Sequence, residues 1–322
     1  MALDTLATEA PQGCRHSTIP DVSTNTSAFW SVSQPGFRFT DAEPGSERFF
    51  RDVDEHRYRL EPHILELAHF GDWGGKDVLD VGCGVATDGA RFAQAGARYT
   101  GFDQTDVALD LARRRFEAEG LEGRFVAGAA TELPFPDETF DLVWSHGVIH
   151  HILDTEKAVA EFYRVLRPGG RALIMVYHRR SLNYFFNILT VRRALATALA
   201  VPGAPALLAR VMRKDGDLLA GHRQLLSVHG RRYLTDSSLF LSNNTDGPGN
   251  PLSKVYTRHQ AEKLFISAGF QEVTTTVRYL NLRLYPKGEQ LAAIPAARRL
   301  ERRIGWHLYV DALRPGSAAS EV

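Results

Sequence analysis

The residues with the clearest chemical potential sit at the ends of apolar runs. Asp80-Val81-Gly82-Cys83-Gly84 closes one such run, and Asp103 closes the next, 19 residues beyond Gly84. Glycines after a strand let the backbone approach a ligand closely, and the helix that follows presents free N–H groups. A carboxylate about 20 residues past those glycines is placed to bind ribose hydroxyls. The glycines alone would also serve a plain strand-to-helix turn; Asp103 is what points to a nucleoside ligand. A second set follows later runs: Ser145 and His146, then His150 and His151, and finally Tyr177 with His178. A general base among them contributes about 10²–10⁴-fold if the reacting group must lose a proton.

Two nucleoside ligands compete for the glycine loop. A nicotinamide dinucleotide wants G-x-G-x-x-G, but Thr87 stands at the third glycine position, with Gly89 close by. Asp80 beside the loop would repel a pyrophosphate. It would attract a ligand bearing an amine, since a nearby opposite charge is stabilising. S-adenosylmethionine (SAM) carries an amine and a sulfonium.

The elements that must hold these residues read as an α/β chain. Val78–Val81, Tyr99–Phe102, Gly123–Ala127, Phe140–Trp144 and Arg171–Tyr177 read as strands, and Asp88–Ala95, Val107–Glu119 and Thr155–Leu166 as helices between them. Such alternation implies a parallel sheet covered on both faces, with ligands at the carboxyl ends of the strands. Arg258–Ala268 then reads as a helix, Gln271–Leu282 as a long strand and Trp306–Leu313 as a last one.

VLDVGCG at 78–84, GFDQ at 101–104, ELPFPDETFDLVWSHGVIHH at 132–151 and VLRPGGRAL at 165–173 resemble the class I SAM-dependent methyltransferases, in the small-molecule group that includes quinone C-methyltransferases. The resemblance implies a Rossmann-like seven-stranded sheet with helices on both faces, one antiparallel strand at or near the edge, and SAM as cofactor. Carried over by position, Gly82, Cys83 and Gly84 pass under the methionine part, with Asp80 nearby. Asp103 binds the ribose hydroxyls, Gln104 lies beside the adenine, and Ala130 and Thr131 touch its edge. Ser145 and His146 face the methionine and methyl group. Tyr58 or Arg59, on a helix ahead of the sheet, reaches the methionine carboxylate. One departure stands out. Relatives often read Gly-Asp-Ala before Leu-Pro-Phe, and this chain reads Gly128-Ala129-Ala130. Thr131, a water or a backbone carbonyl then replaces the missing carboxylate, or cofactor affinity drops by about 1 kcal/mol.

For the chemical step, His146 is the candidate base and Tyr177 a pocket wall or second base. His146 and His150 have the i,i+4 spacing of a metal pair, but His150 and His151 read as packing or capping groups, and no metal is expected.

The chain has 322 residues, with 38 Lys+Arg against 38 Asp+Glu, so its formal net charge is +0. That balance disfavours nucleic acid as a partner. Two cysteines, Cys14 and Cys83, cannot build a disulfide framework, and a cytoplasmic location is expected. The N-terminus has no apolar signal region, and the apolar run 194–209 is broken by Pro202, Gly203 and Pro205, so no membrane insertion is expected. Five segments are expected: a flexible tail over 1–40, a helical cap over 41–74, a SAM-binding core over 75–178, a helical lid over 179–250 and a C-terminal completion of the sheet over 251–322. The segment 179–232 holds ten Lys+Arg and two acids, Asp215 and Asp217, and its Tyr184-Phe185-Phe186 could exclude water. A basic aromatic lid suits an acidic or amphiphilic acceptor; alternatively it packs on the acidic run from Asp41 to Glu55. The expected activity is methyl transfer to an oxygen or nitrogen of a small molecule. The alternatives are C-methylation of a quinone-like or phenolic ring, and SAM binding without transfer. Oligomeric state is left open.

Overall fold

The computed structural model describes residues 26–201, 216–282, 288, 291 and 294–316. Seven strands form one sheet: β1 (Asp77–Val81), β2 (Arg98–Asp103), β3 (Arg124–Ala127), β4 (Phe140–His146), β5 (Leu166–Tyr177), β6 (Gln271–Arg278) and β7 (His307–Leu313). Their order is β3-β2-β1-β4-β5-β7-β6, with β7 antiparallel to both neighbours. The helices are α1 (Thr26–Val32), α2 (Glu47–Leu60), α3 (His63–Leu67), α4 (Thr87–Gln94), α5 (Asp106–Ala118), α6 (Thr155–Val165), α7 (Arg193–Leu199), α8 (Gly216–His229), α9 (Arg232–Thr235), α10 (Ser237–Thr245), α11 (Arg258–Ser267) and α12 (Pro295–Ile304), with a π-helical stretch Asn183–Arg192 leading into α7.

Period-two alternation explains why the sheet is buried on both faces. Val78 and Leu79 are adjacent and both fully buried, yet they belong to different cores. Val78 joins Phe92, Trp144 and Tyr309; Leu79 joins Val143, Phe162 and Phe265. Successive side chains point to opposite faces, so a strand covered on both sides is apolar throughout. The strand order runs one way from β1 to β3 and the other way from β4 onward. That reversal opens a crevice at the carboxyl ends of β1 and β4.

Some details depart from the expected segments. Residues 26–40 do not trail as a tail: α1 and a 3-10 turn at Pro35–Arg38 pack against the sheet's carboxyl edge, with Phe29 buried. Residues 1–25 lie outside the described set. β6 stops at Arg278, where Tyr279 takes a left-handed φ of 67° and breaks the extended run. The described parts of the stretch after β5 are largely helical, residues 202–215 lying outside the described set, but Phe185 and Phe186 are 53% and 47% exposed, whereas Tyr184 is partly packed on the core. Among the described residues no ion pair joins the acidic run to this stretch. Asp54 binds Arg115 of α5, and Asp41 and Asp52 bind Arg48. Among the described residues no helix is long and apolar enough to cross a membrane.

Candidate functional site

The glycine loop leaves β1 in a conformation that only glycine adopts without strain. Gly82 has φ +78°, and a Cβ there would stand 2.2 Å from Val148 Cγ2. Its N–H and that of Cys83 both donate to the Phe102 carbonyl, which binds the loop to β2. Gly84 also has positive φ, but a Cβ there would meet nothing within 4 Å. It faces open space that a ligand can fill.

That space is a cavity of about 240 Å³ whose wall includes Gly84, Asp103, Gln104, Ala130 and Thr131. Asp103 Oδ2 accepts from the Gly84 N–H at 3.1 Å, and Oδ1 accepts from Thr105 N and Oγ1, each at 2.9 Å. Burial raises the Asp103 pKa, and the donors from Thr105 and Gly84 work against that rise. Oδ1 is filled by its two donors, and Oδ2 keeps a lone pair for a hydroxyl. Ala129 lies on the same wall. Helix α1 covers the cavity. Trp30 sets its ring edge-on to His151 at 5.1 Å, Gln34 Nε2 donates to Thr105 Oγ1, and Ser27 Oγ donates to the Gln104 carbonyl.

A second cavity of about 320 Å³ adjoins the first, and Trp30, Gly82, Gly84, His146 and Gly147 belong to both walls. Its near end holds Asp80, Cys83, Arg57 and Asp88. Asp80 is 3% exposed and accepts from Tyr99 OH at 2.9 Å. Burial, with the charge of Asp88, pushes its pKa up to about 8 against the Tyr99 bond. Arg57 is delivered by α2, whose first turn is capped by Ser46 accepting from Phe49 N. Arg57 clasps Asp88 through Nε and Nη2, while Tyr58 OH and Trp144 Nε1 donate to the same carboxylate. Burial opposes the Arg57 charge, but Asp88 and Glu61 outweigh it and hold the guanidinium firmly protonated.

The far end is polar. His146 Nε2 lies 2.9 Å from Tyr309 OH and 3.8 Å from Glu61 Oε2. Burial, then Arg57 and His63, hold His146 well below the usual imidazole range, so it is neutral. Tyr177 stacks on Trp306 and donates to Asp246 Oδ1 at 2.7 Å. Asp246 also receives Asn250 and lies 3.4 Å from His151 Nε2. Asn183, Arg192, Asn244 and His307 complete this wall.

Several expected site residues lie elsewhere. Tyr58 turns away from both cavities to bond Thr87 O and Asp88, and Arg59 faces a separate hollow beside Glu66. A helix turns about 100° per residue, so only Arg57 of the three points inward. Ser145 is fully buried, and its Oγ donates to the Val81 carbonyl, tying β4 to β1. His150 is packed against Tyr177 with ring centroids 3.8 Å apart. Its burial holds it well below the usual range. Trp30, Arg57, Glu61, Asp246 and His307 were not singled out by spacing; each comes from an element remote from the glycine loop.

Residues 79–174 match a family model described as a methyltransferase domain. The chain is 42% identical over 103 residues to Methyltransferase GfsG of Streptomyces halstedii, an overlap covering 31% of this chain and 37% of that protein. It is 33% identical over 170 residues to the demethylmenaquinone methyltransferase of Streptomyces avermitilis, covering 48% of this chain and 71% of that one. The crystal structure of the [4+2]-cyclase SpnF shares the fold, with TM-score 0.52 and 16% identity over 92% of this chain and 97% of that chain. The chain thus spans little more than a third of the Streptomyces halstedii protein, and the family match runs from β1 into β5 and includes the glycine loop.

Proposed function

The chain belongs to the class I SAM-dependent methyltransferases, and from that premise we propose that it moves a methyl group to an oxygen or nitrogen of a polar small molecule. The observation that carries this reading is the second cavity, where Glu61, His146, Asn244 and Asp246 line the space next to the glycine loop.

The residues present fit SAM. Asp103 Oδ2 offers a lone pair for the ribose, and Gly84 leaves the open cradle beside it. Asp80 and Arg57 offer an anion and a cation for the ammonium and carboxylate of an amino acid. SAM supplies a methyl group made electrophilic by the sulfonium. The protein's own part is chiefly to position and to exclude water, and alignment alone contributes about 7–11 kcal/mol. Helix α1 closes the adenosine side. Trp306 and Tyr177 give the acceptor a flat aromatic wall. The proton lost by an acceptor hydroxyl or amine leaves into the corner of His146 and Glu61.

The acceptor wall carries both signs, with Glu61 and Asp246 facing Arg192 and Arg57. That supports a polar acceptor over the purely acidic or amphiphilic one expected from the insertion's charge. The stacked Tyr177–Trp306 pair also suits a planar ring, which keeps C-methylation of a phenolic or quinone-like ring as the second reading. Calorimetry with SAM, followed by transfer of a ¹³C-methyl group to a panel of phenols, hydroxy acids and amines, separates the cases. A product whose new carbon shows the chemical shift of O–CH₃ or N–CH₃ supports the proposal. A new C–CH₃ bond overturns it in favour of the second reading, and tight SAM binding with no product across the panel favours a binding protein.

A further inference from the structure

His146 and His307, two of the imidazoles lining the second cavity, do not come from a helical pair. They come from the sheet, and its register explains their meeting. His146 pairs with Met175 on one side of β5, and Tyr309 pairs with Met175 on the other. Residues opposite one another in a sheet share a face, as do residues two apart along a strand. His146, Tyr309 and His307 therefore project from the same face. Because β7 is antiparallel, its first residue stands at the carboxyl edge, level with Tyr177. Glu61 reaches the same corner from the residue that caps α2.

One donor atom from each of Glu61, His146 and His307 lies within 4.8 Å of the others. The His146 and Glu61 side chains are 7% and 18% exposed, and His307 is 4% exposed. Bonds of about 2.0–2.2 Å to a shared ion need these atoms to close by roughly 1 Å. Arg57 is clasped by Asp88 and also bears electrostatically on Glu61, while Arg278 pairs with Glu66. A third imidazole, His63, packs on His307 with ring centroids 5.6 Å apart. It is 7% exposed, and its Nε2 has no hydrogen-bond partner among the described residues. Two imidazoles and one carboxylate are the donors preferred by divalent transition ions, and three protein ligands leave positions open for a bound substrate. All three residues line the acceptor cavity.

We propose that Glu61, His146 and His307 bind one divalent transition-metal ion whose open positions face the acceptor. Resting on the reading of transfer to oxygen, the acceptor class is then one that can ligate through the reacting oxygen: a phenol, an enol or a hydroxy acid. A hydroxyl bound to such an ion loses its proton readily near neutral pH. The oxygen–methyl bond forms as the sulfur–methyl bond breaks, and the proton passes to solvent through the cavity mouth. His146 is a ligand in this arrangement, and Tyr309 OH must yield its place beside Nε2.

The test uses the full chain stripped with chelator and titrated with Co(II) alone, followed by visible absorption, with Zn(II) competition and metal content after dialysis. One equivalent should bind, and Glu61→Gln and His307→Ala should each weaken it at least tenfold. Calorimetry should keep their SAM affinity within about threefold of the parent protein, which also reports an intact fold. Parent protein that takes up no stoichiometric Co(II) or Zn(II), or variants that both retain its affinity, would overturn the site. Loss of SAM binding in the parent protein would instead count against the methyltransferase reading and leave the ion titration to stand by itself.

Discussion

Arg57 and Asp88 form a two-pronged pair, Nε to Oδ1 at 3.1 Å and Nη2 to Oδ2 at 2.6 Å, that fastens α2 to the first turn of α4. Asp88 also takes donors from Tyr58 and Trp144. It is the hub that joins the cap, the glycine-loop helix and β4. Removing one member of a buried ion pair costs about 3–5 kcal/mol, because the other charge stays buried. Asp88→Ala should lower unfolding stability by that order in a denaturant titration. Arg57→Lys, which keeps the charge but loses the fork, should cost less stability and still weaken SAM binding. A denaturation midpoint for Asp88→Ala equal to that of the parent would contradict the hub.

Asp103 and Gly84 separate binding from folding. Asp103→Ala removes a charge-assisted hydrogen bond to the ribose worth about 1.5–3 kcal/mol, so SAM affinity should fall tenfold or more. Gly84→Ala meets no protein atom within 4 Å, and its cost to the fold is limited to the left-handed backbone, about 1–2 kcal/mol. Its Cβ would occupy the cradle, so calorimetry should show weakened SAM binding out of proportion to the small loss of thermal stability. Unchanged dissociation constants in both variants would show that the nucleoside lies elsewhere.

Asp80 makes cofactor binding depend on pH. The groups that bear on it are Tyr99, Asp88, Arg57 and Asp103. Its pKa is raised to about 8, so near neutral pH the folded protein holds a proton that the unfolded chain has released. Stability from this group is greatest below about pH 4 and is lost as pH rises toward 8. An ammonium beside Asp80 favours its ionised form, so SAM binding should release a proton and tighten between about pH 6 and 8. Calorimetry in buffers of different ionisation enthalpy measures that proton, and Asp80→Asn should abolish it. A parent protein that exchanges no proton on binding would refute the placement of the ammonium.

Within the helical insertion, position relative to the cavity decides the effect. Arg192 lines the acceptor space and donates to the Asn244 carbonyl, whereas Phe185 is 53% exposed. Arg192→Ala should raise the acceptor KM several-fold with SAM affinity unchanged, and Phe185→Ser should alter neither. Steady-state kinetics on both variants would expose the opposite pattern if the aromatic run, rather than Arg192, met the acceptor.

Local chemistry is what made part of this site legible from residues alone. Gly82, Gly84 and Asp103 stand out because a strand, a tight turn and the next strand lie within a short stretch. Glu61, Asp246 and His307 do not, because α2, the loop after α10 and β7 meet only once the sheet is assembled. His307 is the clearest case. Its position follows from one antiparallel strand carrying its first residue to the edge where the parallel strands end. Tyr58 and Arg59 stand one and two positions from Arg57, which lines the second cavity, on a helix where each step swings the side chain by about 100°. Phe185 and Phe186 mislead because an aromatic run marks burial only on the face that turns inward. Trp30 sits in a Ser- and Thr-rich stretch whose seven-residue helix has too few apolar positions for a recognisable period.

That short helix has a kinetic consequence. Seven residues cannot sustain a helix in water by themselves, so α1 keeps its shape through Trp30, Gln34 and Ser27 on the rim of the adenosine cavity. Closure and occupancy are then reciprocal: whatever fills the cavity holds α1 down, and whatever loosens α1 speeds exit. Demethylated cofactor still carries the adenosine, so on the proposed reading it would hold the helix as its precursor does. On the proposed function the spent molecule would then slow its own exit, and loosening the Trp30–His151 contact should speed product release.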